Sequence, residues 1–208
     1  MNLTELQSLS DEKLMQALQT GGPGSMDAFD TLFQRYKTPL LSFLSRYTRD
    51  QQKAEDLFQQ VFLKVWQNAG SFAGNSAFRT WMFSIAVNAA RDLFRHEKVR
   101  RNVSMELTVS EGADGEGRGQ LEPASQGPDP QDLVAGAELE VHLQRALVEL
   151  EDDYRAPFVL ARVNGLSYQE IAEALELTVP TVRMRIHRAH KKLAASLQKF
   201  VTTEESRP

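Results

Sequence analysis

The sequence predicts an all-α protein of two small helical domains joined by a flexible acidic linker. Three observations predict it. Apolar residues recur at helical spacing from Met1 to about Arg101, the spacing stops between about Asn102 and Gly136, and it resumes at Leu139 to run to about Phe200. No stretch alternates like a half-buried strand. With 208 residues, 41% of them hydrophobic and 25% charged, the chain can bury a core and suits one ordinary domain or two small ones. The expected boundaries are 1–101 for the first domain, 102–136 for the linker and 137–203 for the second domain.

In the first domain, Gly21-Gly22-Pro23-Gly24-Ser25 interrupts the pattern, and Asp27 is expected to cap the helix that follows. Phe29, Leu32, Phe33 and Tyr36, then Leu40, Phe43, Leu44 and Tyr47, form its apolar stripe. From Lys53 to Trp66 a second helix turns Phe58, Val61, Phe62 and Val65 to the core and leaves Asp56, Gln59, Gln60 and Leu63 on the opposite side. Taken alone this is an ordinary amphipathic helix.

An aromatic-bearing polar loop, Ser71 to Phe78, precedes a long helix from Arg79 to Lys98. Trp81, Ile85, Ala89 and Leu93 are expected to face inward, with Asn88, Arg91, Arg95 and Lys98 on the outer face. Two readings of the loop stand side by side. It can hold an unstacked base and its flanking phosphates beside the basic helix, or it can be a surface loop whose Phe72 and Phe78 plug the core.

The linker is rich in Gly, Pro, Ser and acids, as in Ser110-Glu111-Gly112-Ala113-Asp114-Gly115-Glu116-Gly117 and Gly127-Pro128-Asp129-Pro130, a composition that resists packing. Beyond it, Leu139, Leu143, Ala146, Leu147 and Leu150 restart the helical spacing.

Ser167 and Glu170 stand at capping-box spacing before Ile171, Ala172 and Leu175, so they open a short helix. Glu176-Leu177-Thr178 breaks it, and Pro180 fits the first turn of the next helix, where a missing amide costs little. There Val182, Ile186, Ala189 and Leu193 share one face, and Met184, His187, Arg188 and Lys191 the other. Two helices joined by so short a turn, the second with a basic outward face, match the helix-turn-helix whose second helix enters the major groove. Arg183 and Arg188 carry forked donors suited to guanine, whereas Thr181, Arg185 and Lys191 suit phosphates. A solvated basic helix face is the plainer alternative.

The net charge of −4 argues at first against a nucleic-acid partner. Charge is local, however. From Leu177 to Thr203 the chain carries Arg183, Arg185, Arg188, Lys191, Lys192 and Lys199 with no acid among them. The absence of cysteine excludes disulfides, Cys-ligated zinc and a thiol nucleophile. His96, His142, His187 and His190 show no metal spacing with acids, and there is no phosphate-cradling glycine loop, so an enzyme is not expected. No leader pattern opens the chain, and no window approaches the roughly 18 apolar residues of a membrane helix.

Three segments carry a family resemblance: Ala54-Glu55-Asp56-Leu57 through Phe62-Leu63-Lys64-Val65-Trp66, Phe78-Arg79-Thr80-Trp81-Met82 through Ile85-Ala86-Val87-Asn88-Ala89, and Gly165-Leu166-Ser167-Tyr168-Gln169-Glu170-Ile171-Ala172. In order and spacing they resemble the extracytoplasmic-function sigma factors of the sigma-70 family. The resemblance implies a region 2 helical bundle at 1–101 and a region 4 helix-turn-helix at 137–203. It implies a cytoplasmic protein that binds core RNA polymerase and promoter DNA, is restrained by an anti-sigma factor, needs no cofactor, metal or small-molecule substrate, and does not insert in a membrane.

By the same resemblance Asp56, Gln59, Gln60 and Leu63 dock on the clamp helices of the polymerase's largest subunit. Phe72, Asn75, Ser76 and Phe78 capture a flipped base of the minus-10 element, and Asn88, Arg91 and Arg95 contact its upstream edge. Thr181, Arg183, Met184, Arg185, His187, Arg188 and Lys191 meet the minus-35 element. Gln60 stands where many relatives carry an acid, Met184 where they often have a small hydroxyl residue, and Pro180 where many have glycine. The resemblance also threads the linker toward the polymerase's RNA path, where its acids would imitate RNA phosphates. The competing reading is a stand-alone helix-turn-helix regulator whose first domain senses a ligand or dimerises. It accounts for the C-terminus but not for the loop and basic helix of the first domain.

Overall fold

The computed structural model describes residues 3–107 and 141–204, all of whose regular elements are helices. Five α-helices build the first lobe: α1 (Leu3–Ser8), α2 (Asp11–Thr20), α3 (Ser25–Thr48), α4 (Gln51–Gln67) and α5 (Phe78–Leu107), with a 3-10 turn at Ala69–Ser71. The second lobe holds α6, described over 141–149, then α7 (Asp152–Arg162), α8 (Tyr168–Ala174) and α9 (Val179–Glu204). Most of the segment read as a linker lies outside the described residues. Its first six residues do not: the helix expected over Arg79 to Lys98, in a domain expected to end at Arg101, runs on to Leu107, short of the first glycine breaker at Gly112.

Local chemistry sets the helix ends. Ser10 caps α2 by accepting the Lys13 amide, and Gly21 closes it at φ +62°, sending its own amide to the Leu18 carbonyl oxygen. Asp27 does not cap α3. That helix begins two residues earlier at Ser25 behind Gly24, which leaves Asp27 in the first turn, where its charge complements the helix dipole. Asp50 caps α4 by accepting the Lys53 amide at 3.1 Å.

The stripes read from the sequence in α3 and α4 are the core of the first lobe. Leu32, Leu40, Phe43, Leu44 and Tyr47 pack with Phe58, Val61, Phe62 and Val65, all buried. Burying each such side chain is worth about 1.5–3 kcal/mol. The inward stripe of α5 is rotated from the one expected. Of the expected stripe Ala89 is buried, but Trp81, Ile85 and Leu93 lie only part-buried against the core, and Phe78, Met82, Phe83, Ala86 and Ala90 are fully buried in their place. The rotation lets Phe83 meet Phe43 and Phe78 meet Tyr36, with ring centroids 5.6 and 5.3 Å apart. Tyr36 also donates to Asp11, which pairs with Arg35, so one carboxylate fastens α2 to α3.

The two lobes pack on one another. α7 lies on α3 and α8 on α5, and one continuous cluster of buried apolar residues crosses the boundary. Polar groups fasten the seam. Arg155 is buried and donates to the carbonyl oxygens of Val148, Leu150 and, across the boundary, Tyr47. Asn164 donates to the Pro39 carbonyl oxygen at 2.9 Å, and Arg79 donates to the carbonyl oxygen of Asn164.

Candidate nucleic-acid interface

In α8 and α9 the sequence pattern becomes a surface. The Ser167 hydroxyl accepts the Glu170 amide while the Glu170 carboxylate accepts the Ser167 amide at 2.7 Å, completing the capping box. Burial alone would push the Glu170 carboxyl up, but the Ser167 bonds and the nearby Arg79 charge together hold it below its ordinary range. The turn passes through Glu176 at φ +54°, a left-handed conformation that a side chain resists. Thr178 then accepts the Thr181 amide and shares a 2.8 Å hydroxyl contact with Thr181, capping α9.

Val182, Ile186, Ala189 and Leu193 of α9 are buried against α7 and α8, so the helix can present only its other face. Arg183, Met184, His187, Arg188 and Lys191 are all exposed there, Met184 by 39%. Thr181 and Arg185 lie at the margin, and Arg185 pairs with Asp153 of α7 at 3.2 Å. Behind them Lys192 pairs with Glu151 at 2.8 Å and sits over the Tyr154 ring.

The loop from Ser71 to Phe78 settles into a different shape from the aromatic cradle. Phe72 and Phe78 are 8% and 0% exposed, edge-on to each other and tilted against Trp81, so in this structure the rings plug the core. Gln19 of α2 fixes the loop's base, donating to the Ala69 and Phe72 carbonyl oxygens at 2.9 and 2.7 Å. What the loop offers outward is Ser71, Ala73, Gly74, Asn75 and Ala77, with Ser76 half-buried. On α5, Asn88 and Arg95 are exposed, but Arg91 is half-buried and held by Asp152 of the second lobe at 2.8 Å.

A third surface lies on α4, where Asp56, Gln59 and Gln60 are exposed beside Leu63 at 55%. Three residues further along the same helix Trp66 is also exposed, and it meets Phe29 edge-on.

Comparison with known proteins decides what these surfaces belong to. Residues 32–100 match the model of sigma-70 region 2, and residues 141–193 match that of sigma-70 region 4. The ECF RNA polymerase sigma-E factor of Escherichia coli is 33% identical over 195 residues, covering 94% of this chain and 98% of that protein.

The chain belongs to the extracytoplasmic-function group of the sigma-70 family.

The RNA polymerase sigma-H factor of Pseudomonas aeruginosa is also similar, at 31% identity over 90% of this chain and 94% of that one. Among solved structures, CnrH in complex with the cytosolic domain of CnrY matches at a TM-score of 0.65 and 25% identity, covering 91% of this chain and 97% of that one. The sigma factor RpoE of Bartonella quintana, solved with the anti-sigma factor NepR, shares the fold at a TM-score of 0.60 and 23% identity, covering 82% and 96%. As a sigma factor the protein joins core RNA polymerase and directs initiation at promoters. No described helix is long and apolar enough to cross a membrane.

Several residues that shape the sigma factor's surfaces escaped the sequence reading. Arg155 and Asn164 tie the lobes, and Asp152 engages Arg91. Only Thr178 carried a usable signal, a hydroxyl three residues before Thr181 in front of a proline-started helix.

Proposed function

We propose that α9 reads the minus-35 element through Arg183, Met184, His187 and Arg188, with Thr181, Arg185 and Lys191 on the flanking phosphates. The observation that carries this is the division of α9 into a fully buried apolar face and an exposed basic one. Asn75 and Ser76, with Asn88, Arg91 and Arg95 on α5, engage the melted minus-10 strand. Phe72 and Phe78 act there by holding the loop's shape. Opening needs no catalytic group, because binding the single strand in preference to the duplex shifts the equilibrium; the protein acts by binding and not as an enzyme, beside the polymerase in the cytoplasm.

Asp56, Gln59, Gln60 and Leu63 form the polymerase contact, and the neighbouring apolar exposure of Trp66 supports it. An anti-sigma factor restrains the protein, a reading supported by the relative solved with NepR. Core binding tests the polymerase contact. Leu63→Asp should weaken association with core polymerase at least tenfold, about 1.4 kcal/mol, while leaving the thermal melt unchanged; unchanged association would reject it.

A further inference from the structure

Gln19 lies at an exposed position, yet its side chain is committed. It stands in the last turn of α2, just before Gly21 ends that helix, and its amide nitrogen donates to the carbonyl oxygens of Ala69 and Phe72 at 2.9 and 2.7 Å. Both partners are acceptors, so only the nitrogen can face them, and each of its two hydrogens has one carbonyl to serve. Those carbonyls bracket the 3-10 turn that leads into the loop, 50 and 53 positions further along the chain.

The opposite end of α2 reaches the far side of the same loop. Asp11 accepts the Tyr36 hydroxyl, and the Tyr36 ring meets Phe78 edge-on. Leu14, Met15 and Leu18 are buried between these two contacts, which fixes α2 against the bundle. Nothing comparable holds the loop's tip. Among the described residues no hydrogen bond reaches the backbone of Ala73, Gly74, Asn75 or Ser76, and Gly74 sits at φ +69°. The tip takes its shape from its two ends.

The Gln19 bonds add little to stability. Water competes for carbonyls so near the surface, and holding a glutamine still gives up rotamer freedom. What the bonds do is select one arrangement of the loop's entry.

We propose that Gln19 is a positioning residue for the minus-10 strand. Through it α2 braces the loop, so that Asn75 and Ser76 are already in place when an unpaired base arrives. Ordering a loop in advance removes that cost from binding, and the benefit goes to the base whose contacts need the fixed geometry. The proposal rests on the reading of Asn75 and Ser76 as minus-10 contacts.

The test uses holoenzyme assembled from core polymerase and the full chain, on promoter templates already unpaired across the minus-10 segment and identical but for one base. The readout is the ratio of affinities for the preferred base and for the others, because a ratio cancels any change in general charge. Gln19→Met keeps the side chain's length without a donor and should reduce the ratio about fivefold, with core affinity and thermal midpoint unchanged. Gln19→Lys, whose ammonium can serve both carbonyls, should restore the ratio. An unchanged ratio in Gln19→Met, a loss accompanied by weaker core binding or a lower thermal midpoint, or a loss that Gln19→Lys does not repair would each overturn the proposal. Variants of the tip separate it from the reading beneath. A ratio lost in Asn75→Ala but kept in Gln19→Met rejects the brace alone, whereas a ratio that neither Asn75→Ala nor Ser76→Ala moves would reject the loop contact itself.

Discussion

Arg155 Nη1 donates to the carbonyl oxygen of Tyr47 at 3.1 Å, and the guanidinium lies over the Tyr47 ring at 5.1 Å from its centroid. Tyr47 ends the apolar stripe of α3 and Arg155 lies inside α7, so one side chain joins the two lobes. The same guanidinium also holds the carbonyl oxygens that close α6.

Removing it should therefore loosen both the second lobe and the seam. Arg155→Ala is expected to cost about 2–4 kcal/mol in urea denaturation and to raise the radius of gyration in solution scattering. Arg155→Met, which keeps the stem's packing, should cost less than Ala.

Because Phe78 is fully buried, Phe78→Ala should cost about 3–5 kcal/mol of stability. Asn75→Ala, at an exposed position of the same loop, should leave the denaturation midpoint within about 0.5 kcal/mol yet reduce promoter opening, followed by permanganate reactivity of unpaired thymines. Those two outcomes separate holding the loop from touching DNA.

Glu176 takes the turn between α8 and α9 at φ +54°. Glycine carries no side-chain penalty there, although it adds freedom to the unfolded chain. Glu176→Gly should stabilise the second lobe by roughly 0.5–1 kcal/mol, read as a higher thermal midpoint.

The capping box supplies a pH dependence. Glu170 is held below its ordinary value of 4.5, so its contribution is complete above that value and is lost as pH falls through the lower, folded one. The thermal midpoint of the wild type should exceed that of Glu170→Gln near neutral pH, and the gap should close as the solution is acidified below about pH 4.5. A gap that widens on acidification would contradict this assignment.

How much of this was legible in the sequence depended on distance along the chain. The α9 faces, the capping box at Ser167 and the core stripe of α4 arise from neighbours within a turn or two, and periodicity reports such relations directly. The lobe seam does not. Asn164 and Pro39 are 125 positions apart, and nothing in the local pattern of either announces the other. The rotation of α5 has the same origin, since Phe83 turned inward to meet Phe43 across the bundle, where the helical wheel had favoured Trp81 and Ile85. Likewise, an aromatic loop reads as either base cradle or core plug from its sequence alone, and only the folded chain shows that the two rings are buried here. The family resemblance added what single-sequence periodicity lacks, because it joined three short segments into one machine.

The claim on which the account depends is that one chain brings polymerase and promoter together through two helical lobes. Run-off transcription tests it most directly, using core polymerase on a library of genomic fragments from the source organism, with and without the protein. The account predicts discrete starts that need the protein, and Arg188→Ala should weaken those that depend on a minus-35 element by about 1–3 kcal/mol. Identical transcripts with and without the protein would contradict it.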